Sequence, residues 1–120
     1  MKIYLTHPTN FDFKKDLYQP LRQSELNANY EIVLPHEDGA AQFNSKEQMS
    51  DFDLVVAEVS FPSTGQGIEL GWADMAGVPI ICMYKKGQKY SYALKTISEM
   101  FIEYTDSEDF IRKLTEQIEG

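Results

Sequence analysis

Residues 53–59 read Asp-Leu-Val-Val-Ala-Glu-Val, a nearly unbroken apolar run of strand length. A strand that alternates apolar and polar residues covers one face of a core. One this uniformly apolar is buried on both faces, as in the middle of a parallel sheet. Parallel neighbours need crossover connections, and the chain supplies them. Short β-rich runs at 2–6, 30–34, 78–84 and 100–104 alternate with stretches of helical length at 13–28, 68–76 and 107–118. Pro20 predicts a bend or restart within the first of these helices. Gly77 and Pro79 close the second, and Ser107, followed by Glu108 and Asp109, starts the third as its N-cap. Residues 37–49 are polar around Gly39 and read as loop plus a short helix, and 92–97 as another short helix. The expectation is one α/β domain over residues 1–120, with a five-stranded parallel sheet in a doubly wound, three-layer sandwich. This is the flavodoxin-like or Rossmann-like class, most simply in strand order 2-1-3-4-5.

Composition narrows the function. Eleven Lys and Arg against 19 Asp and Glu give a net charge of −8, and acids outnumber bases in both halves. Such a chain repels phosphate backbones and anionic membranes at long range, so neither a nucleic-acid polymer nor a membrane is an expected partner. A small anionic ligand in a local pocket remains compatible. Cys82 is the single cysteine, which excludes an intrachain disulfide, and His7 and His36 lack the spacing of a metal pair. Met1-Lys2-Ile3-Tyr4-Leu5 runs into Thr6-His7-Pro8 without an apolar leader, and no run of about 18 apolar residues occurs. The expectation is a cytoplasmic protein with no metal and no cofactor.

In the 2-1-3-4-5 order the ligand crevice lies at the carboxyl ends of strands one and three, where residues 6–10 and 58–67 empty into it. Several chemistries fail there. Thr6-His7-Pro8 is not the acidic cluster of a phosphoacceptor, and residues 6–12 hold no glycine for an FMN phosphate loop. Gly65, Gly67 and Gly71 space as G-x-G-x-x-x-G, one residue longer than the dinucleotide fingerprint and after the wrong strand. The loop does carry an acid, Glu69, two residues after Gly67. With a helix beginning near Gly67, Glu69 is either a carboxylate favoured by the helix dipole or a nucleophile or base presented to the crevice by a glycine loop. A capping box does not account for it, because the residue three before it is Gln66.

The run Asp53-Leu-Val-Val-Ala-Glu-Val-Ser60, followed by Pro62-Ser-Thr-Gly-Gln-Gly-Ile-Glu-Leu-Gly71, resembles the signature of the nucleoside 2-deoxyribosyltransferase family. Within that family it is most similar to the 2′-deoxynucleoside 5′-monophosphate N-glycosidases. The opening Lys2-Ile-Tyr-Leu5 adds to the likeness, as does similar spacing as far as Tyr92-Ala-Leu94, so that it covers most of the chain. The resemblance implies cleavage of an N-glycosidic bond, by hydrolysis or transfer, with a covalent deoxyribosyl intermediate on Glu69 and retention of configuration. It implies that Tyr4 orients Glu69, although a core aromatic is the plainer reading of Tyr4. It implies that Ser63 contacts a 5′-phosphate, with Gly65 and Gly67 leaving the backbone accessible, and that Ser91 is lent across the interface of a homodimer or higher homo-oligomer. Ser63 reads equally as a turn residue.

The departures are specific. The family's acid that protonates the leaving base falls at Ser45 here, with Glu37 and Asp38 as substitutes from the same connection or simply solvated loop acids. Strand one leads into His7-Pro8 in place of a glycine, so His7 either narrows the pocket, donates a proton or is a loop residue. A catalytically weak nucleotide-binding module on the same fold is the alternative function. Among the remaining residues, Glu58 is expected to bond loop backbone and Cys82 to be a buried hydrophobe. Trp72 is expected at a subunit interface or the base pocket, and Lys85, Lys86 and Lys89 in a solvated loop.

Overall fold

The computed structural model describes residues 1–37 and 46–120. Its sheet has five strands, β1 (Lys2–Thr6), β2 (Glu31–Val33), β3 (Leu54–Glu58), β4 (Ile80–Lys85) and β5 (Phe101–Tyr104), all parallel and in the order β2-β1-β3-β4-β5. The expected doubly wound order is therefore the one found. All five residues of β3 are buried, in keeping with its central place. Strand β1 has the expected bounds, the ends of the other strands move by at most two residues, and β4 starts after Pro79, which has no N–H to give to a ladder.

The pleat sorts side chains between two cores. Ile3, Leu5, Leu54, Val56, Ile81 and Met83 face one cluster, which Leu17, Leu21, Leu26, Phe110 and Leu114 complete. Tyr4, Val55, Ala57, Ile80 and Cys82 face the other, completed by Met49, Phe52, Leu70 and Ala73. The first cluster lies under α1 (Gln19–Gln23), α2 (Glu25–Asn29) and α5 (Ser107–Glu119), and the second under α3 (Lys46–Met49) and α4 (Thr64–Met75). This is the three-layer arrangement.

Three helix boundaries correct the sequence expectation. The stretch 13–28 begins as a π-helical turn, Lys14–Tyr18, continues as α1 and breaks at Ser24, not at Pro20. Pro20 lies in the first turn of α1, where a missing N–H is harmless. Ser24 is extended and its hydroxyl donates to the Leu21 carbonyl at 2.7 Å, a local bond that competes with helix continuation. Helix α5 is capped by Asp106, which accepts from the Asp109 N–H at 2.8 Å, while the expected cap Ser107 donates to the Asp16 carbonyl.

Helix α4 starts four residues before the expected Ile68, because Ser63 is its N-cap and accepts from the Gln66 N–H at 3.3 Å. The Gln66 side chain donates to the Glu58 carbonyl at 2.7 Å, tying the helix start to the end of β3. Gly77, at φ 75°, ends the helix as expected. Its N–H bonds to the Asp74 carbonyl and that of Val78 to the Ala73 carbonyl, the two bonds of a Schellman motif.

Candidate active site

Tyr4 and Thr6, two residues apart on β1, point to the same side of the sheet, toward α4. Both are almost fully buried, each 1% exposed. Helix α4 brings half-buried Glu69 over them. The Tyr4 hydroxyl donates to Glu69 Oε2 at 2.5 Å and the Thr6 hydroxyl to Oε1 at 2.8 Å. Each carboxylate oxygen thus receives a donor from the strand, which fixes the plane of the group and complements its charge. Burial pushes the Tyr4 hydroxyl well above the ordinary tyrosine value, and the Glu69 carboxylate beside it pushes it further, so Tyr4 remains a proton-bearing donor. Glu69 is the sixth residue after the N-cap Ser63, beyond the first turn where a helix dipole acts, so the dipole reading of this acid loses its basis.

A second group gathers on another face of α4. Ser63, Gly67 and Leu70 line an open cavity of about 400 Å³ together with Phe61, Ser91 and Leu94. Gly65 is one turn before Glu69 and shares its side of the helix. The expected glycine loop is corrected: Gly65 and Gly67 are helical, and positive φ occurs only at Gly77 and Gly87 among the described residues. A Cβ built at Gly65, Gly67 or Gly71 would meet nothing within 4 Å, so the chain's own packing does not demand glycine there.

His7 is built into an aromatic cluster with Phe11, Phe13, Tyr18 and His36. Its Nδ1 lies 2.8 Å from the Pro8 carbonyl, which can only accept, so Nδ1 carries the proton. Nε2 then accepts from the Tyr18 hydroxyl at 2.6 Å, and that oxygen accepts from the His36 N–H at 3.0 Å. Burial lowers the His7 pKa to about 4. At neutral pH His7 is uncharged with both ring nitrogens engaged, which removes the proton-donor reading. Glu37 holds Arg22 through two bonds of 2.8 Å, so the structure gives it a partner, while Asp38 and Ser45 lie outside the described residues.

Glu58 lies on the opposite face of the sheet from Glu69, fully buried. It accepts from the Ser60 N–H at 2.6 Å, the Ser60 hydroxyl at 2.8 Å and the Tyr104 hydroxyl, which extends the loop-backbone role expected for it. Lys85, Lys86 and Gln88 border a second cavity of about 350 Å³ next to it. Cys82 is buried and its thiol is pushed up to about 11 by that burial. Trp72 packs partly buried against the α4-side core. Among the described residues no group of three or more His, Cys, Asp or Glu could hold a metal. The residue that sequence reasoning missed is Thr6. The available signal was the two-residue period of β1, which places it beside Tyr4.

No family model matches the chain. A Syntrophotalea carbinolica protein described as a 2′-deoxynucleoside 5′-phosphate N-hydrolase is 38% identical over 50 residues, 42% of this chain and 35% of the relative. The 5-hydroxymethyl-dUMP N-hydrolase of Rattus norvegicus is 35% identical over 68 residues, 54% of this chain and 42% of the relative. The matched segments therefore span less than half the length of either curated relative. A Clostridium botulinum CMP N-glycosidase superposes with a TM-score of 0.67 at 24% identity, over 95% of this chain and 98% of that one. A 2-deoxyribosyltransferase from Bacillus psychrosaccharolyticus gives 0.61 at 19%, over 92% and 90%. The fold is that of these N-glycosidic-bond enzymes. The sequence matches support the nucleoside 2-deoxyribosyltransferase family, on the side of the deoxynucleoside 5′-phosphate N-hydrolases, as the sequence signature implied.

Proposed function

We propose that this chain cleaves the N-glycosidic bond of a 2′-deoxynucleoside or its 5′-monophosphate, by hydrolysis or by transfer to a second base, with Glu69 as the nucleophile. The observation that carries this reading is the Glu69 carboxylate, held by Tyr4 and Thr6 at the carboxyl end of β1. One Glu69 oxygen bonds to C1′ as the C1′–N bond breaks, and the electron pair leaves with the base, which takes up a proton. Water then adds its hydroxyl to C1′, the C1′–Oε bond breaks, its electron pair returns to the carboxylate, and the remaining proton goes to solvent. Two inversions retain configuration. In a transfer, a second base takes the place of water.

Ser63, Gly65, Gly67 and Ser91 are proposed to receive the sugar and its 5′-phosphate. The names of the two curated relatives support a phosphorylated substrate. His7 is proposed to wall the pocket through its ring, and Glu37 or Asp38 to supply the proton for the base. Ser91, which lines the cavity beside Ser63 of its own chain, is proposed to reach the substrate at the interface of a homodimer or higher homo-oligomer. The single cysteine suits a cytoplasmic enzyme.

The test is release of free base from a panel of deoxynucleosides and deoxynucleoside monophosphates by the wild type and by Glu69→Ala. Release by the wild type and none by the variant is the expected result, and wild-type release by Glu69→Ala would remove the nucleophile assignment. The second reading, a catalytically weak nucleotide-binding module, is favoured by Ser45 at the position of the family's acid. Its signature is a melting shift with nucleotides and no base release by the wild type.

A further inference from the structure

We propose that Thr6 is a positioning residue that sets how fast the Glu69-linked intermediate breaks down, an inference that rests on Glu69 being the nucleophile. The Thr6 hydroxyl donates to Oε1 at 2.8 Å, on the oxygen that Tyr4 does not hold. Its place is fixed by the strand: Thr6 is 1% exposed and pairs with Ala57 of central β3.

A hydrogen bond to a carboxylate is roughly twice as strong as one to a neutral acceptor. When Glu69 bonds to C1′ its carboxylate becomes a neutral ester, and the Thr6 bond weakens. When water displaces the sugar, the C1′–Oε bond breaks, the electron pair returns to Glu69, and the bond regains its strength. A donor on Oε1 therefore disfavours formation of the intermediate and favours its decay. Without it the enzyme should fill with intermediate. This differs from a packing role, which would lower stability and slow both steps without changing the ratio between them.

The experiment follows base and sugar release by rapid quench, with the deoxynucleoside monophosphate that the wild type cleaves best, and measures the intact mass of quenched protein. Thr6→Val and Thr6→Ala delete the donor with different volumes, so that one of the two keeps the fold, as judged by thermal melting. Thr6→Ser keeps the donor. In Thr6→Val or Thr6→Ala the ratio of sugar-linked to free enzyme should rise roughly tenfold, the size expected for one charge-assisted bond. The burst of base release should grow with it, and Thr6→Ser should match the wild type. Base release with a wild-type ratio in the donor-less variants overturns the role of Thr6 and leaves the function standing. A wild type that releases no base from any substrate overturns both.

Discussion

The Tyr4 hydroxyl lies 2.5 Å from Glu69 Oε2, although Tyr4 belongs to the buried core beside Phe52 and Val55 and Glu69 sits half-exposed on a helix. The same ring thus serves the core and the site. Its ionisation is displaced upward, by burial first and by Glu69 second. In the range above the ordinary tyrosine value the unfolded chain gives up this proton while the native protein keeps it, so stability falls as pH rises through that range. Tyr4→Phe should flatten this alkaline loss. Urea midpoints from pH 8 to pH 11 check it, and parallel curves for wild type and variant would contradict the assignment.

His7 predicts the acidic counterpart. Its pKa falls from 6.5 unfolded to about 4 folded, so between those values the unfolded state binds more protons and stability declines as pH falls. The full contribution, present above pH 6.5, is about 3 kcal/mol at most. Replacing His7 by Phe should remove this part of the pH dependence whatever it does to stability at neutral pH. Denaturant midpoints of both proteins at pH 7 and pH 4.5 provide the comparison.

Substrate class should depend on Ser63. Residues 62–67 contain no acid to repel a phosphate, and Ser63 lines the cavity at the start of α4. Deoxynucleoside monophosphates should bind Glu69→Ala protein more tightly than the matching nucleosides. Because glycine is nearly as good an N-cap as serine, Ser63→Gly spares the helix. It should still reduce the phosphate preference by about tenfold, the size of one charge-assisted bond. Calorimetric titration with equal affinities for both ligand classes would remove Ser63 from the phosphate site.

The helical glycines should trade stability against binding. Alanine at Gly71 or Gly65 meets no neighbour within 4 Å and should raise stability by about 0.5–1 kcal/mol through helix propensity. Gly71→Ala, which adds a methyl to the cavity that Gly71 lines with Ser63, should weaken nucleotide binding, as should Gly65→Ala on the Glu69 side of the helix. Thermal melts and titrations on the two variants separate these effects.

The sheet was legible because its signal is burial. The apolar run at 54–57 can only be central, and the other strands take the simplest doubly wound order. The contact between Glu69 and Tyr4 was legible through a short motif. The start of α4 was not, because Ser63, Gly65 and Gly67 look like a loop in sequence, and it is the N-cap bond to Gln66 together with the Gln66 tie to Glu58 that extends the helix through them. The break at Ser24 was hidden for a related reason, since a serine hydroxyl turning back on Leu21 leaves no periodic trace and Pro20 draws attention instead. His7 was read by its neighbours in sequence, whereas its state is set by Tyr18 and by burial, which only the fold assembles.

The two residues that hold Glu69 are strand residues, paired on one side to β2 at Tyr4 and on the other to β3, while Ser63 and Ser91 lie at helix and turn starts. A change in those peripheral positions can alter what is admitted without loosening the grip on the carboxylate. Under the proposed function, substrates can therefore diversify at little risk to the Glu69 carboxylate, and an engineer can graft new connections onto β1 and α4 while leaving Tyr4, Thr6 and Glu69 untouched.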